Sequence, residues 1–271
     1  MGNVRFGCQF YTWQMSGDKY IGALPHICGV VQQAGFAGIE PETLMLGDYY
    51  NDAFALKDIL AERDLQLGAL ALVCAWQEPR ETLDELAAAE RIFRYLDAFP
   101  GTHLGLGQFP GADRANLHER RQNCLACTNA VAARAADRGL VCSFHPNSAP
   151  GSVFRVADDY KVLLDGLDPQ VVGYCPDSGH IARGGMDPVA VFQEALPLIR
   201  HVHFKDYAAD GQWAGMGEGI IDFPAIVTML ARSDFDGWVM VEEESPFAEQ
   251  NPDAATLQNG EYLKRELAGL A

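Results

Sequence analysis

The sequence predicts an α/β fold, a single (β/α)8 TIM barrel domain over residues 1–271. Three observations carry this expectation. Eight short apolar runs alternate with longer amphipathic stretches, as βα units do. Successive runs start about thirty to forty residues apart, room for a strand, a loop, a helix and a return loop. The first run leads into Gln9-Phe10-Tyr11-Thr12-Trp13, with no Gly-rich phosphate loop of the kind an open doubly wound sheet carries there. No Ser/Gly/Pro linker, low-complexity tract or charge block divides the chain.

The expected strands are Val4–Phe10, Gly35–Glu40, Gln66–Val73, His103–Gln108, Leu140–His145, Val171–Cys175, His201–Lys205 and Trp238–Glu243. The expected helices are Asp52–Arg63, Glu81–Ala98, Leu117–Arg138, Asp158–Leu164, Pro188–Leu198, Asp222–Arg232 and Thr256–Leu267. Asp187-Pro188 supplies a cap and a first-turn proline. Asp137-Arg138-Gly139 marks a helix end.

Composition narrows the function classes. The chain is 48% hydrophobic and 21% charged, with 20 Lys and Arg against 37 Asp and Glu, a formal charge of −17. Such a surface repels phosphate backbones and anionic lipid heads, so neither nucleic acid nor a membrane is an expected partner. A neutral small molecule or a cation fits better. The start, MGNVRFGCQF, lacks a basic region leading into an apolar stretch and a cleavage site, and no run approaches the roughly 18 apolar residues that span a bilayer. Seven scattered cysteines read as reduced thiols. Together these imply a cytoplasmic protein. Cys124 and Cys127 form a C-x-x-C inside a helical stretch with no second pair, which reads as buried thiols rather than zinc.

In a barrel, functional groups gather at the carboxyl ends of the strands. The second strand ends in Glu40-Pro41-Glu42, the fifth in Phe144-His145-Pro146-Asn147, and the sixth runs into Pro176-Asp177-Ser178-Gly179-His180. The seventh is His201-Val202-His203-Phe204-Lys205-Asp206, and the eighth ends in Glu242-Glu243-Glu244. Four of the seven histidines lie in these places. Imidazole and carboxylate groups on successive strand ends suit a divalent cation, and the lack of cysteine there argues against a thiolate site. Alternation puts His201, His203 and Lys205 on one face. His203, nearer the carboxyl end, is the better ligand, and His201 reads as a core residue. Glu242 and Glu244 share a face, with Glu243 opposite. Asp177 could cap a helix, but the downstream Asp187-Pro188 is the more convincing cap, which leaves Asp177 for another task.

The series D-S-G-H-I-A-R-G-G-M-D-P, H-V-H-F-K-D, G-E-G-I-I-D-F and G-W-V-M-V-E resembles the sugar isomerase/epimerase superfamily of xylose-isomerase-like barrels. The order and spacing match from about His145 to Glu244, and the N-terminal half fits more loosely through Glu40. The resemblance implies one divalent metal ion, manganese first, with magnesium, cobalt or zinc as alternatives. Its ligands would be His145, Asp177, His203 and Glu242. His180 is similar to a substrate-contacting residue of that family. The epimerases carry a glutamate where this chain has His145. That departure points toward the inosose dehydratase branch and toward related subunits that cleave 3-oxo-glycosides, C-glycosides included, by elimination.

The implied chemistry is enolisation of a keto-sugar, keto-cyclitol or 3-oxo-glycoside. A bound metal polarises the carbonyl, and a base removes the adjacent proton. His145 is the natural base if it is not a ligand, with Glu242 the second candidate. Loss of a β-substituent makes a lyase; reprotonation makes an isomerase or epimerase. Lys205 would neutralise the enolate or protonate a leaving group, its bland alternative being a salt bridge with Asp206. Glu40, Asn147 and Trp13 are further candidates to bind substrate. Two other readings concern the same barrel. A DNA-repair endonuclease of the same barrel type needs a basic groove. A barrel inactive without a small second chain remains open, and a homo-oligomer is the expected assembly.

Overall fold

The structure, a computed structural model, describes residues 2–271. From β1 (Asn3–Gln9), α1 (Tyr11–Gln14) and α2 (Leu24–Ala34) lead to β2 (Gly38–Glu40). Next come α3 (Ala53–Ala61), β3 (Gln66–Leu67), β4 (Ala69–Cys74), α4 (Leu83–Leu96), β5 (His103–Gln108), α5 (Leu117–Ala136) and β6 (Cys142–His145). Then α6 (Ala157–Gly166), β7 (Val172–Tyr174), α7 (Ser178–Arg183), α8 (Pro188–Ala195) and β8 (Val202–Phe204) follow. The chain closes with β9 (Asp206–Tyr207), β10 (Trp213–Ala214), α9 (Phe223–Ala231), β11 (Asp236–Val241), α10 (Pro246–Gln250) and α11 (Pro252–Tyr262), which runs into a π-helical turn at Leu263–Leu267.

The chain forms two compact units, one running up to Leu70 and again from Val202 onward, the other Ala71–His201. In the first unit five strands pair in the order β3-β2-β1-β11-β8. Every pairing is parallel, and the register sets Gln9 beside Glu40 and Met240 beside His203. The Glu242 amide donates to Phe204 O at 2.9 Å. Register therefore brings Glu40, His203 and Glu242 to neighbouring strand ends. Below them Ala69, Trp238 and Met240 form a buried cluster. A Cβ at Gly38 would lie 2.6 Å from the Trp238 ring, and one at Gly68 2.4 Å from Met240 Cε. Glycine at both places admits these two large side chains, and Gly68 is also where the expected strand Gln66–Val73 breaks into β3 and β4.

The second unit holds the sheet β4-β5-β6-β7. Gly107 pairs with His145 and Phe144 with Tyr174, both in parallel register. At the opposite strand end, His201 stacks on His103 with ring centroids 4.6 Å apart. His103 Nε2 is 2.7 Å from Ser143 Oγ. His201 is 1% exposed, as its reading as a core residue requires. The longest helix, α5, buries Cys124 and Cys127. Among the described residues the seven cysteines form no disulfide, and all are buried.

The structure differs from expectation at several boundaries. Helix α2 was not anticipated; it buries Leu24, Ile27, Cys28, Val30, Val31 and Ala34 and stops at Gly35, whose φ of +91° is left-handed. Gly35 is thus a helix cap, and the second strand starts only at Gly38. Asp222 caps α9 and Asp52 caps α3, so each helix starts one residue later than read. The last helix starts at Pro252 rather than Thr256, a proline suiting a first turn. The final strand lies two residues earlier than expected, so Glu242 and Glu243 follow it.

Candidate active site

In the first unit a row of acidic and basic side chains is gathered at the strand ends. His203 Nε2 lies 3.0 Å from Glu40 Oε2, and its Nδ1 lies 3.4 Å from Glu242 Oε2. Lys205 Nζ lies 2.8 Å from Glu242 Oε1 and also pairs with Glu244. Exposure is 2% for Glu40, 4% for His203, 1% for Lys205 and 5% for Glu242. Charges survive such burial only when paired. Burial pulls the His203 pKa down, but Glu40 and Glu242 outweigh it and the value rises to about 10. Burial pushes Glu244 up to about 7, against the pull of Lys205 and with the push of Glu242. Burial also raises Glu42, although Gln14 Nε2 donates to it at 3.0 Å.

Strand parity holds. Glu242 and Glu244 both meet Lys205, while Glu243 turns away and accepts a hydrogen bond from Ser245 Oγ at 2.5 Å. Lys205 meets Glu242 and Glu244 across the sheet. Asp206 accepts the backbone N–H groups of Tyr207, Gly217, Gly219 and Ile221, fixing the loop that carries Trp213. The Trp213 ring centre is 5.1 Å from Lys205 Nζ.

In the second unit His145, Asp177 and His180 come together, with donor atoms within 4.8 Å of one another. Asp177 Oδ2 is 3.4 Å from His145 Nε2 and 3.9 Å from His180 Nε2. The expectation that Asp177 is no helix cap is corrected. Its Oδ1 accepts the His180 N–H at 2.7 Å and caps α7, because a helix starts directly after it. The cap uses one oxygen and leaves the other among the imidazoles.

Two candidates sit differently. Trp13 is fully buried, packs edge-on against Phe10, and its indole N–H donates to Asp253 at 2.8 Å. Asn147 Nδ2 donates to Gln108 O at 2.9 Å and its Oδ1 accepts from Ser152, so its amide ties the loop after β6 to the end of β5. The sequence reading missed Ser148, whose Oγ is 2.8 Å from His180 Nδ1. It missed Glu244 as the partner of Lys205, though shared parity with Glu242 was the available signal.

Both clusters mix imidazole nitrogen with carboxylate oxygen and contain no thiolate. That donor set fits a borderline or hard divalent cation. A family model described as a xylose isomerase-like TIM barrel matches residues 28–266, through both units. The chain belongs to the xylose isomerase-like TIM barrel family. Its fold is accordingly the (β/α)8 barrel that the strand rhythm predicts. An inosose dehydratase from Bacillus velezensis is 30% identical over 298 residues, covering 98% of this chain and 97% of its own. Another, from Bacillus thuringiensis, is 30% identical over 154 residues, covering 50% of this chain and 51% of its own. The chain therefore spans about half the length of that relative in the match. Among solved structures, the IolI protein with a zinc atom superposes with a TM-score of 0.78 at 14% identity, covering 98% of this chain and 99% of that one. Both relatives are named inosose dehydratases. Among the described residues no helix is long and apolar enough to cross a membrane.

Proposed function

We propose that this protein is a divalent-metal-dependent enzyme that enolises a keto-sugar, keto-cyclitol or 3-oxo-glycoside and then expels a β-substituent as a lyase. The observation that carries this reading is the buried Lys205–Glu242 pair at 2.8 Å beside His203. It sets a cation and a proton acceptor at neighbouring strand ends, shielded from water. The inosose dehydratase relatives support elimination over simple reprotonation, since a dehydratase expels water. His145 in place of the epimerase glutamate supports the same direction.

The metal set of the proposal is His145, Asp177, His203 and Glu242. It rests on the family resemblance, together with the mixed donor chemistry of each cluster. The zinc in the IolI structure supports a metal of this class; manganese is our first choice. The ion, when bound, would polarise the substrate carbonyl. The residues of the chain do the rest. His145 takes the proton next to the carbonyl only where it is not a ligand; as a ligand its lone pair is committed to the metal, and Glu242 is the base. Lys205 offers its ammonium to the developing oxyanion or the leaving group. His180 and Glu40 hold substrate hydroxyls. Asn147 keeps the loop after His145 in place. We read residues 1–271 as one catalytic domain acting in the cytoplasm as a homo-oligomer, and no nucleic-acid partner fits a charge of −17.

The test joins metal analysis of the purified protein to proton NMR in D2O against 3-oxo-glycosides, inososes and ketoses. A stoichiometric divalent ion with deuterium exchange beside the carbonyl and loss of a substituent is the expected result. Exchange with an epimer or isomer as product overturns the lyase step and keeps enolisation. Failure to retain any divalent ion after reconstitution overturns the four-ligand set. Metal without exchange, restored by adding a small second chain, would make this a partner-dependent subunit.

A further inference from the structure

Ser148 follows β6 in the loop after His145, and its side chain is fully buried. Its Oγ lies 2.8 Å from His180 Nδ1, itself on a residue 8% exposed. The backbone N–H of His180 is anchored separately, on Asp177 Oδ1 at 2.7 Å. The ring is thus held at one nitrogen and at its root. The other nitrogen, Nε2, lies 3.9 Å from Asp177 Oδ2, and the His145 ring stands edge-on with centroids 5.5 Å apart.

A neutral imidazole carries one proton, and the hydrogen bond at one nitrogen decides the state of the other. A carboxylate oxygen near Nε2 favours the proton there. Nδ1 then needs a donor, and a serine hydroxyl can be one. We propose that Ser148 is a positioning residue: it donates its hydroxyl proton to His180 Nδ1 and holds the neutral ring as the Nε2–H tautomer, so that His180 donates a hydrogen bond to an oxygen of the substrate. This rests on the reading of His180 as a substrate-binding residue. It has a consequence for the cluster. The donor atoms of His145, Asp177 and His180 are close enough for a metal triad, but an Nε2 that carries a proton has no lone pair to give. His180 is therefore a hydroxyl- or carbonyl-recognising group, and the metal set excludes it.

Long-range proton–nitrogen correlation NMR on histidine-labelled protein reads the tautomer directly, with His180 assigned by its absence from H180N. The sample is kept well above the ordinary imidazole pKa of about 6.5. The expected result is an Nε2–H ring in the wild type, a mixed or reversed tautomer in S148A, and partial recovery in S148C, whose thiol is a weaker donor. In turnover, S148A raises KM for the keto-sugar more than it lowers kcat. An Nδ1–H ring in the wild type overturns the proposal, as does an S148A spectrum unchanged from wild type. The wild-type measurement stands even if a variant fails to fold. It also needs no substrate: turnover with an Nδ1–H ring sinks this inference alone, whereas an Nε2–H ring with no keto-sugar bound or exchanged sinks the functional reading.

Discussion

Lys205 Nζ and Glu242 Oε1 are 2.8 Å apart on a lysine only 1% exposed. The same ammonium also pairs with Glu244. Removing it in K205M leaves the buried Glu242 and the half-buried Glu244 without this ammonium. Breaking a buried pair from one side costs about 3–5 kcal/mol, and urea unfolding should show a loss of that order. K205M/E244Q should recover part of it, because one of the stranded charges is gone. Neither variant should regain turnover if Lys205 serves the oxyanion or leaving group.

His203 gives the metal-free protein a pH signature. Burial works against its proton, but Glu40 at 3.0 Å and Glu242 at 3.4 Å prevail and raise the pKa to about 10. The folded value lies above the unfolded one of about 6.5. The ion pairs therefore contribute stability in full below about pH 6.5, and that contribution is lost as pH rises through about 10. A metal ligand must be neutral imidazole. With the proposed metal set, binding near pH 7.5 should then release a proton from His203, and apparent affinity should climb with pH toward 10. Calorimetry in buffers of different ionisation enthalpy measures this. H203N should bind metal more weakly and lose that proton release.

The strand rhythm was legible because each strand is a short apolar run bounded by polar loops, and His103–Gln108 matches to the residue. Helix α2 was not, because Pro25 and Gly29 interrupt its sequence, although Leu24, Ile27, Cys28, Val31 and Ala34 recur at helical spacing and His26, Gln32 and Gln33 face outward. The residues of the site were legible through parity: His203 with Lys205, and Glu242 with Glu244. Their partners were not. Lys205 has Asp206 beside it in sequence, yet period-two alternation turns the two apart, and the carboxylates it meets lie just past the end of a strand roughly 40 residues away. The double use of Asp177 was hidden for a related reason: a carboxylate has two oxygens, and a sequence does not say that each takes a different task.

Trp13 illustrates a residue type read for its chemistry and placed for packing. Its ring is fully buried and its indole N–H donates to Asp253, which also meets His26 Nε2 at 2.9 Å. W13F keeps most of the packing and loses the hydrogen bond, at a cost of about 1 kcal/mol. W13A should cost about 3–5 kcal/mol through the cavity it opens. KM for the substrate of the proposed reaction should be unchanged in W13F. A raised KM at unchanged stability would instead restore Trp13 to the substrate surface.

Asp206 organises a loop with four backbone hydrogen bonds, from Tyr207 at 2.8 Å, Gly217 and Gly219 at 2.9 Å, and Ile221 at 3.3 Å. Gly219 is needed for this approach, since a Cβ there would fall 2.1 Å from Asp206 Oδ1. The enclosed segment carries Trp213, whose ring faces Lys205 Nζ at 5.1 Å. D206A strands several amide donors around a residue 1% exposed, each worth about 1–3 kcal/mol when left unsatisfied and buried. The loop escapes part of that cost by opening to water. Hydrogen exchange should therefore accelerate across residues 207–221 and little elsewhere, while D206N, which keeps one acceptor oxygen, falls between. Turnover should drop with the loss of the Trp213 cover on Lys205, by up to about a hundredfold if the ammonium shifts by an ångström. Unchanged exchange in D206A would show that β9 and β10 hold the loop without the carboxylate.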